Sequence, residues 1–232
     1  MKIGLLSDIH GNLPALEACL HTLQMDNADN LICLGDTVGY GPFPNECLDI
    51  LRNHAIPSVL GNHDAAVLGN LPLKFFREPN ASLLKWTMKN LNSENGQYLS
   101  EQPLIMENDN WIAAHSSPVK PAEWQYLRSA IACRSILEEI DQDICFVGHT
   151  HIPGVVSNEI GIFSLQRGYK YVINPGSVGQ SRDEDYRASC GIFDMDTFTY
   201  KNYRVEYEIK DTLKGYSRIG ISDTDARHLL HL

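Results

Sequence analysis

Five short stretches of this chain place Asp, Asn or His directly after an apolar run. Ser7-Asp8-Ile9-His10 follows Lys2–Leu6, Gly35-Asp36 follows Leu31–Leu34, and Gly61-Asn62-His63-Asp64 follows Pro57–Leu60. His115 follows Trp111–Ala114, and Gly148-His149-Thr150-His151 follows Ile144–Val147. Of the nine histidines, five (His10, His63, His115, His149 and His151) fall in these stretches. Carboxylate and imidazole donors suit Mn, Fe, Zn or Ni, and no cysteine stands at these positions to favour a softer metal. Seven donors (Asp8, His10, Asp36, Asn62, His115, His149 and His151) exceed what one ion takes from protein if it keeps a water. Two ions about 3.5–4 Å apart can share one carboxylate and one water. Asp36 is the natural bridge, because it is the lone carboxylate after its run. Asp8, His10 and His151 would then complete one ion, and Asn62, His115 and His149 the other. Two divalent ions against two aspartates leave the site locally cationic, which suits a phosphate. A water bridging such ions is acidified toward a pKa of about 7, as in single-zinc sites, and can attack as hydroxide. His63 is left over as a non-ligand, placed by its neighbour Asn62 to face the leaving oxygen.

The elements that must hold these residues are legible as hydrophobic periodicity. Lys2–Leu6, Leu31–Leu34 and Pro57–Leu60 read as strands, alternating with helices over Pro14–Gln24, capped by Asn12, and Pro44–His54. That βαβαβ order implies a largely parallel sheet, whose ligands bind beyond the carboxyl ends of the strands. Residues 65–108 read as helical, with Leu83, Leu84, Met88 and Leu91 as the buried stripe. Trp111–Ala114 and Ile144–Val147 return to strand around a helix over Ser129–Ile140. Short strands then crowd together at Val155–Val156, Ile160–Leu165, Lys170–Ile173, Ser189–Asp194 and Phe198–Val205, an antiparallel pattern. Residues 210–232 read as one or two short helices. No linker splits the chain, so residues 1–232 are expected to form one domain.

Composition bounds the functions available. At 232 residues and 43% hydrophobic the chain is ordinary globular protein. At 26.0 kDa it should expose about 10,500 Å² when folded. The net charge of −10 argues against nucleic acid or anionic membrane as partners. No apolar run approaches the roughly 20 residues that span a bilayer, and the apolar stretch after Lys2 is too short for a signal peptide; a cytoplasmic location is expected. The six cysteines form no CxxC pair and sit among apolar residues, which predicts reduced, buried thiols.

Taken together and in order, the motifs Asp8-Ile9-His10, Gly35-Asp36, Gly61-Asn62-His63-Asp64, an isolated His115 and Gly148-His149-Thr150-His151 resemble the calcineurin-like metallophosphoesterases. The spacing agrees, with 28 residues from Asp8 to Asp36 and 26 from Asp36 to Asn62. The resemblance runs from Lys2 to about Asp185 and is nearest to the small prokaryotic, phosphodiesterase-like branch, through Ser7–Asn12 and Asn174-Pro175-Gly176-Ser177. It implies a four-layer α/β/β/α sandwich of two mixed β-sheets flanked by helices, and a hydrolase of small phosphorylated substrates, with a phosphodiester or nucleotide-type anhydride favoured. Where some members of the branch carry Cys, this chain keeps His63, and Ser116 follows His115 where relatives often have glycine. Four further residues are candidates for supporting the site or binding substrate. Asp64 is either a helix cap or the group that orients His63, and Tyr40 lies in the turn Gly39–Pro42. Asn174 lies in a Pro-Gly turn, and Arg182 is either solvated or a clamp on a second phosphate. The rival reading is a non-catalytic interaction scaffold of the same fold, such as the retromer subunit; the complete donor set with His63 argues for the enzyme.

Overall fold

The computed structural model describes all residues from Met1 to Leu232 and exposes 10776 Å², close to the area expected from mass. Nine strands form two sheets. They are β1 (Lys2–Leu6), β2 (Asn30–Cys33), β3 (Ile105–Glu107), β4 (Trp111–Ala114), β5 (Ile144–Phe146), β6 (Gly154–Ser157), β7 (Tyr171–Asn174), β8 (Ala188–Asp194) and β9 (Thr199–Val205). The first sheet has the order β2-β1-β8-β9 and the second β3-β4-β5-β7-β6. Both are mixed: β1 is parallel to β2 and antiparallel to β8, while β5 is parallel to β4 and β7 and both edges of its sheet are antiparallel. The helices are α1 (Leu13–Met25), α2 (Pro44–Asn53), α3 (Asn62–Val67), α4 (Asn80–Asn90), α5 (Ser93–Ser100), α6 (Ala130–Leu137), α7 (Ile209–Arg218) and α8 (Asp223–Leu229).

Strand alternation builds the layers, because successive side chains point to opposite faces. Ile3, Leu5 and Phe193 of the first sheet meet Ile144, Phe146, Tyr171 and Ile173 of the second in a core between the sheets. The alternate residues point outward: Leu6, Cys33 and Cys190 pack under α1 and α2 through Leu16, Cys19, Leu23, Cys47 and Leu51. On the far side Ile112, Cys145 and Val172 pack under Cys133, Ile136 and Leu137 of α6. The order helix, sheet, sheet, helix follows, and all six cysteines are free thiols buried in the two outer cores.

Several expectations need correction. Pro57–Leu60 is not a strand: it makes a single parallel bridge, Cys33 to Ser58, and Leu60 N–H turns away to the carbonyl of Pro103. Ile160–Leu165 finds no sheet partner; Phe163 is 98% and Ile160 83% exposed, so the apolar run lies in a surface loop. Residues 105–107, read as helix, are β3, because β4 offers an edge to pair with. In α4, Thr87 takes the buried position expected for Met88, which is exposed. Asn12 sits at the start of α1 without capping it. Its amide donates instead to the carbonyl of Gly179, and its oxygen accepts from the hydroxyl of Thr212 on α7.

Candidate metal centre

The donor-bearing stretches come from both sheets. β1 and β2 deliver Asp8, His10 and Asp36, while β4 and β5 deliver His115, His149 and His151; the segment at 57–60 leads into α3 with Asn62 and His63. All eight residues are buried, with exposures between 0% and 8%. The chain forces this convergence through strained backbone: Asp8, His10, Asp36, His149 and His151 all have φ between 49° and 64°. Left-handed non-glycine residues cost of order 1–3 kcal/mol each and persist where surrounding structure fixes them, which is typical of functional sites. The adjoining glycines answer to close approach. A Cβ on Gly61 would lie 2.0 Å from Asp36 Oδ1, and one on Gly148 would lie 1.9 Å from Ser7 Oγ and 2.8 Å from Asp8 Oδ2.

Each carboxylate divides its oxygens between scaffold and centre. Asp8 Oδ2 accepts from the Ser7 hydroxyl at 2.6 Å and the His149 N–H at 3.0 Å. Asp36 Oδ1 accepts the His63 N–H at 2.8 Å. Asp8 Oδ1 and Asp36 Oδ2 then face the imidazoles: Asp8 Oδ1 lies 3.2 Å from His151 Nε2, and Asp36 Oδ2 lies 3.2 Å from His115 Nε2 and 3.7 Å from His10 Nε2.

The histidines are held in defined tautomers. A carbonyl oxygen can only accept, so the ring nitrogen beside it carries a proton. His10 Nδ1 donates to Val38 O (3.1 Å), His115 Nδ1 to Leu34 O (2.7 Å) and His151 Nδ1 to Gln180 O (2.5 Å). Their Nε2 atoms therefore face the centre. His149 is reversed: Nε2 donates to Trp124 O at 3.0 Å, and Nδ1 faces inward. Such second contacts orient imidazoles for metal binding.

The residues fit divalent ions. His10 Nε2 lies 3.2 Å from His151 Nε2, and His115 Nε2 lies 3.2 Å from both Asn62 Oδ1 and His149 Nδ1. Donors about 2.0–2.1 Å from one tetrahedral ion stand about 3.4 Å apart, and facing lone pairs at this range need a cation or proton between them. Asp8 Oδ1, fully buried, has no hydrogen-bond partner at all. Three groups of donors lie close enough to share an ion: Asp8, His10 and His151; His10, Asp36 and His63; and Asp36, His115 and His149. Asp36 and His10 each recur in two of them.

The electrostatics of these side chains agree. Burial opposes ionisation of Asp8 and Asp36, yet His151 and His115 respectively outweigh it and hold both carboxyls below the usual range. Burial pushes His10 down, His63 to about 4 and His149 to about 3, so these imidazoles are neutral at pH 7. Burial also opposes protonation of His115, but Asp36 overrides it and raises the pKa to about 9.

His63 lies in the same cluster but is held differently. Its Nδ1 is buried without a partner, and no carbonyl fixes its tautomer. Its ring packs between His10, Tyr40 and Phe76 at centroid distances of 4.7–5.0 Å and lines a cleft of about 860 Å³ that opens over the centre. A larger hollow, about 990 Å³, opens at the amino-terminal ends of β1 and β4 and carries none of the donors.

The four supporting candidates separate. Asp64 is the third residue of α3, not its cap; its carboxylate accepts N–H groups of Gly61, Val38 and Thr37, tying two turns together, and makes no hydrogen bond to His63. Burial and the nearby Asp36 raise its pKa to about 7. Asn174 donates to Gly148 O and Thr150 Oγ1, pinning the turn that carries His149 and His151. Tyr40 and Arg182 line the cleft, and Arg182 donates to the Tyr40 hydroxyl at 3.0 Å. Sequence reasoning missed Trp124, Tyr126 and Arg128 on one wall and Phe76 and Arg77 on the other. The aromatic and basic run Trp124–Arg128, in an otherwise patternless loop, was the available signal.

Two facing mixed sheets with a His/Asp cluster between their strand ends define a metal-site hydrolase. The chain belongs to the calcineurin-like phosphoesterase superfamily, whose domain matches residues 1–197. The crystal structure of a metallophosphoesterase from Sphaerobacter thermophilus superposes with a TM-score of 0.84 at 38% identity, covering 100% of this chain and 98% of that one. An uncharacterised protein of Methanocaldococcus jannaschii is 41% identical over 94% of this chain and 91% of its own length. The phosphodiesterase YfcE of Escherichia coli is 27% identical over 86% of this chain and 90% of its own. The chain is accordingly a phosphoesterase-type hydrolase, and no helix in it is long and apolar enough to cross a membrane.

Proposed function

We propose that the chain hydrolyses small phosphate esters or anhydrides at a centre of two divalent ions, with phosphodiesters or nucleotide-type compounds as the favoured class. The observation that carries this reading is Asp36 Oδ2, which lies near both His10, from one sheet, and His115, from the other. Asp8, His10 and His151 would hold one ion with Asp36, and Asn62, His115 and His149 the other. When bound, the ions would acidify a water and polarise phosphoryl oxygens. The chain's own work is distinct. The backbone carbonyls of Val38, Leu34, Gln180 and Trp124 aim the imidazoles, and the strained turns fix them before substrate arrives. His63, neutral through burial, brings an N–H to the cleft side of the centre and serves the leaving oxygen. The phosphodiesterase named among the relatives supports a diester preference, and the absence of any break in the donor set disfavours the scaffold reading. A cytoplasmic location accords with the sequence. Purified protein with added Mn²⁺ should turn over bis-p-nitrophenyl phosphate and lose that activity on chelation. Absence of turnover with Mn²⁺, Fe²⁺, Zn²⁺ and Ni²⁺ alike would contradict the proposal.

A further inference from the structure

The cleft over the centre contains three guanidinium groups that no carboxylate neutralises. Arg77, Arg128 and Arg182 all line it. Outside the cleft Arg52, Arg187, Arg204 and Arg227 are each paired with Asp or Glu, while Arg134 and Arg167 donate to backbone carbonyls. In a chain of net charge −10, acidic partners are plentiful, so three unpaired arginines in one cleft leave it as a local cationic funnel. The one acidic residue at its wall, Glu123, pairs with Lys120 at 3.6 Å.

Two chains of contacts link Arg128 and Arg182 to the centre. The Tyr126 ring lies on His149 at 3.9 Å between centroids and 21° between planes, and the Arg128 guanidinium sits 4.1 Å above Tyr126. On the other side the Tyr40 ring meets His10 at 4.5 Å and His63 at 4.7 Å, and its hydroxyl accepts from Arg182. Each chain of contacts runs from imidazole through an aromatic ring to a guanidinium, stacked on the Tyr126 side and hydrogen-bonded at the Tyr40 hydroxyl. An anion held by the arginines therefore lies beyond the phosphate at the centre. Guanidinium forks match phosphate oxygens. Phe75, 66% exposed, and Trp124 add flat apolar wall to the same cleft, suited to a planar ring.

We infer that this cleft is a subsite for a second phosphate and an aromatic base, so that the substrate is a nucleoside-type polyphosphate. The inference rests on the phosphoesterase reading for its chemistry but not for its binding. The binding test is calorimetry of ADP and AMP with the Mn²⁺-loaded protein. ADP should bind about 10–100-fold more tightly, the scale of one charge-assisted contact set. Arg128→Ala combined with Arg182→Ala should close that gap. Equal binding of ADP and AMP, or a gap that survives the substitutions, would overturn the subsite. The kinetic test is the ratio of kcat/KM for diadenosine tetraphosphate to that for bis-p-nitrophenyl phosphate, which should fall about 10-fold or more in the same variant. An unchanged ratio would again overturn it. An ADP preference with no turnover of either ester would leave the subsite standing and reject the hydrolytic reading instead.

Discussion

His63 is the residue whose role differs most from that of its neighbours. His10, His115, His149 and His151 each spend one nitrogen on a backbone carbonyl and offer the other inward. His63 has no such tether and faces the cleft, although it lies within ligand distance of His10 and Asp36. A proton or hydrogen-bond donor there matters most when the departing alkoxide is basic. His63→Ala should therefore keep both ions, lose about 10²-fold or more on an alkyl or ribosyl ester, and lose distinctly less on a nitrophenyl ester. Metal content and both rates belong to one preparation. Loss of an ion would make His63 a ligand, and equal loss on both esters would assign it to the phosphoryl group.

At the scale of elements, the centre depends on turns that leave the strands in left-handed backbone. The Gly148 turn is the tightest, since its Cα faces Ser7 Oγ and Asp8 Oδ2 at distances that exclude a methyl group. Gly148→Ala should push Asp8 and His149 apart and weaken metal binding by about 10–100-fold, the usual cost of disturbing a ligand's support. The far-ultraviolet spectrum should stay that of the wild type. Unchanged affinity, read by Mn²⁺ titration, would show that the turn tolerates the shift. These turns also show what the chain made legible. Apolar runs followed by Asp or His marked β1, β2, β4 and β5 and the donors after them, because burial and chemistry alternate sharply there. Pro57–Leu60 looked the same in sequence but has only β2 beside it and one bridge to share. Ile160–Leu165 carried the apolar content of a strand, but it makes no sheet pairing; Ile162 and Leu165 pack against the core between the sheets while Ile160 and Phe163 face solvent. Trp124 and Tyr126 were signalled only by an aromatic and basic run, because their contribution is a carbonyl and a ring face, neither tied to a spacing rule.

The whole molecule is arranged so that neither sheet makes the centre alone. The sheet of β1 and β2 brings both aspartates, and the sheet of β4 and β5 brings three imidazoles, across a shared apolar core. The carboxyl-terminal helices brace the same region: Leu229 and Leu230 pack with Tyr40, and Gln180 donates to the carbonyl of Leu229. Asp36 is the point at which the two halves of the donor set meet, and its Oδ2 faces an imidazole from each sheet. The central claim is that two ions share this carboxylate. Its most direct test is titration of the metal-free protein with Mn²⁺, followed by calorimetry and elemental analysis, for the wild type and for Asp36→Asn. The wild type should take up about two ions per chain, and Asp36→Asn should weaken both sites together. A single site in the wild type, or two sites of unchanged affinity in Asp36→Asn, would contradict the account.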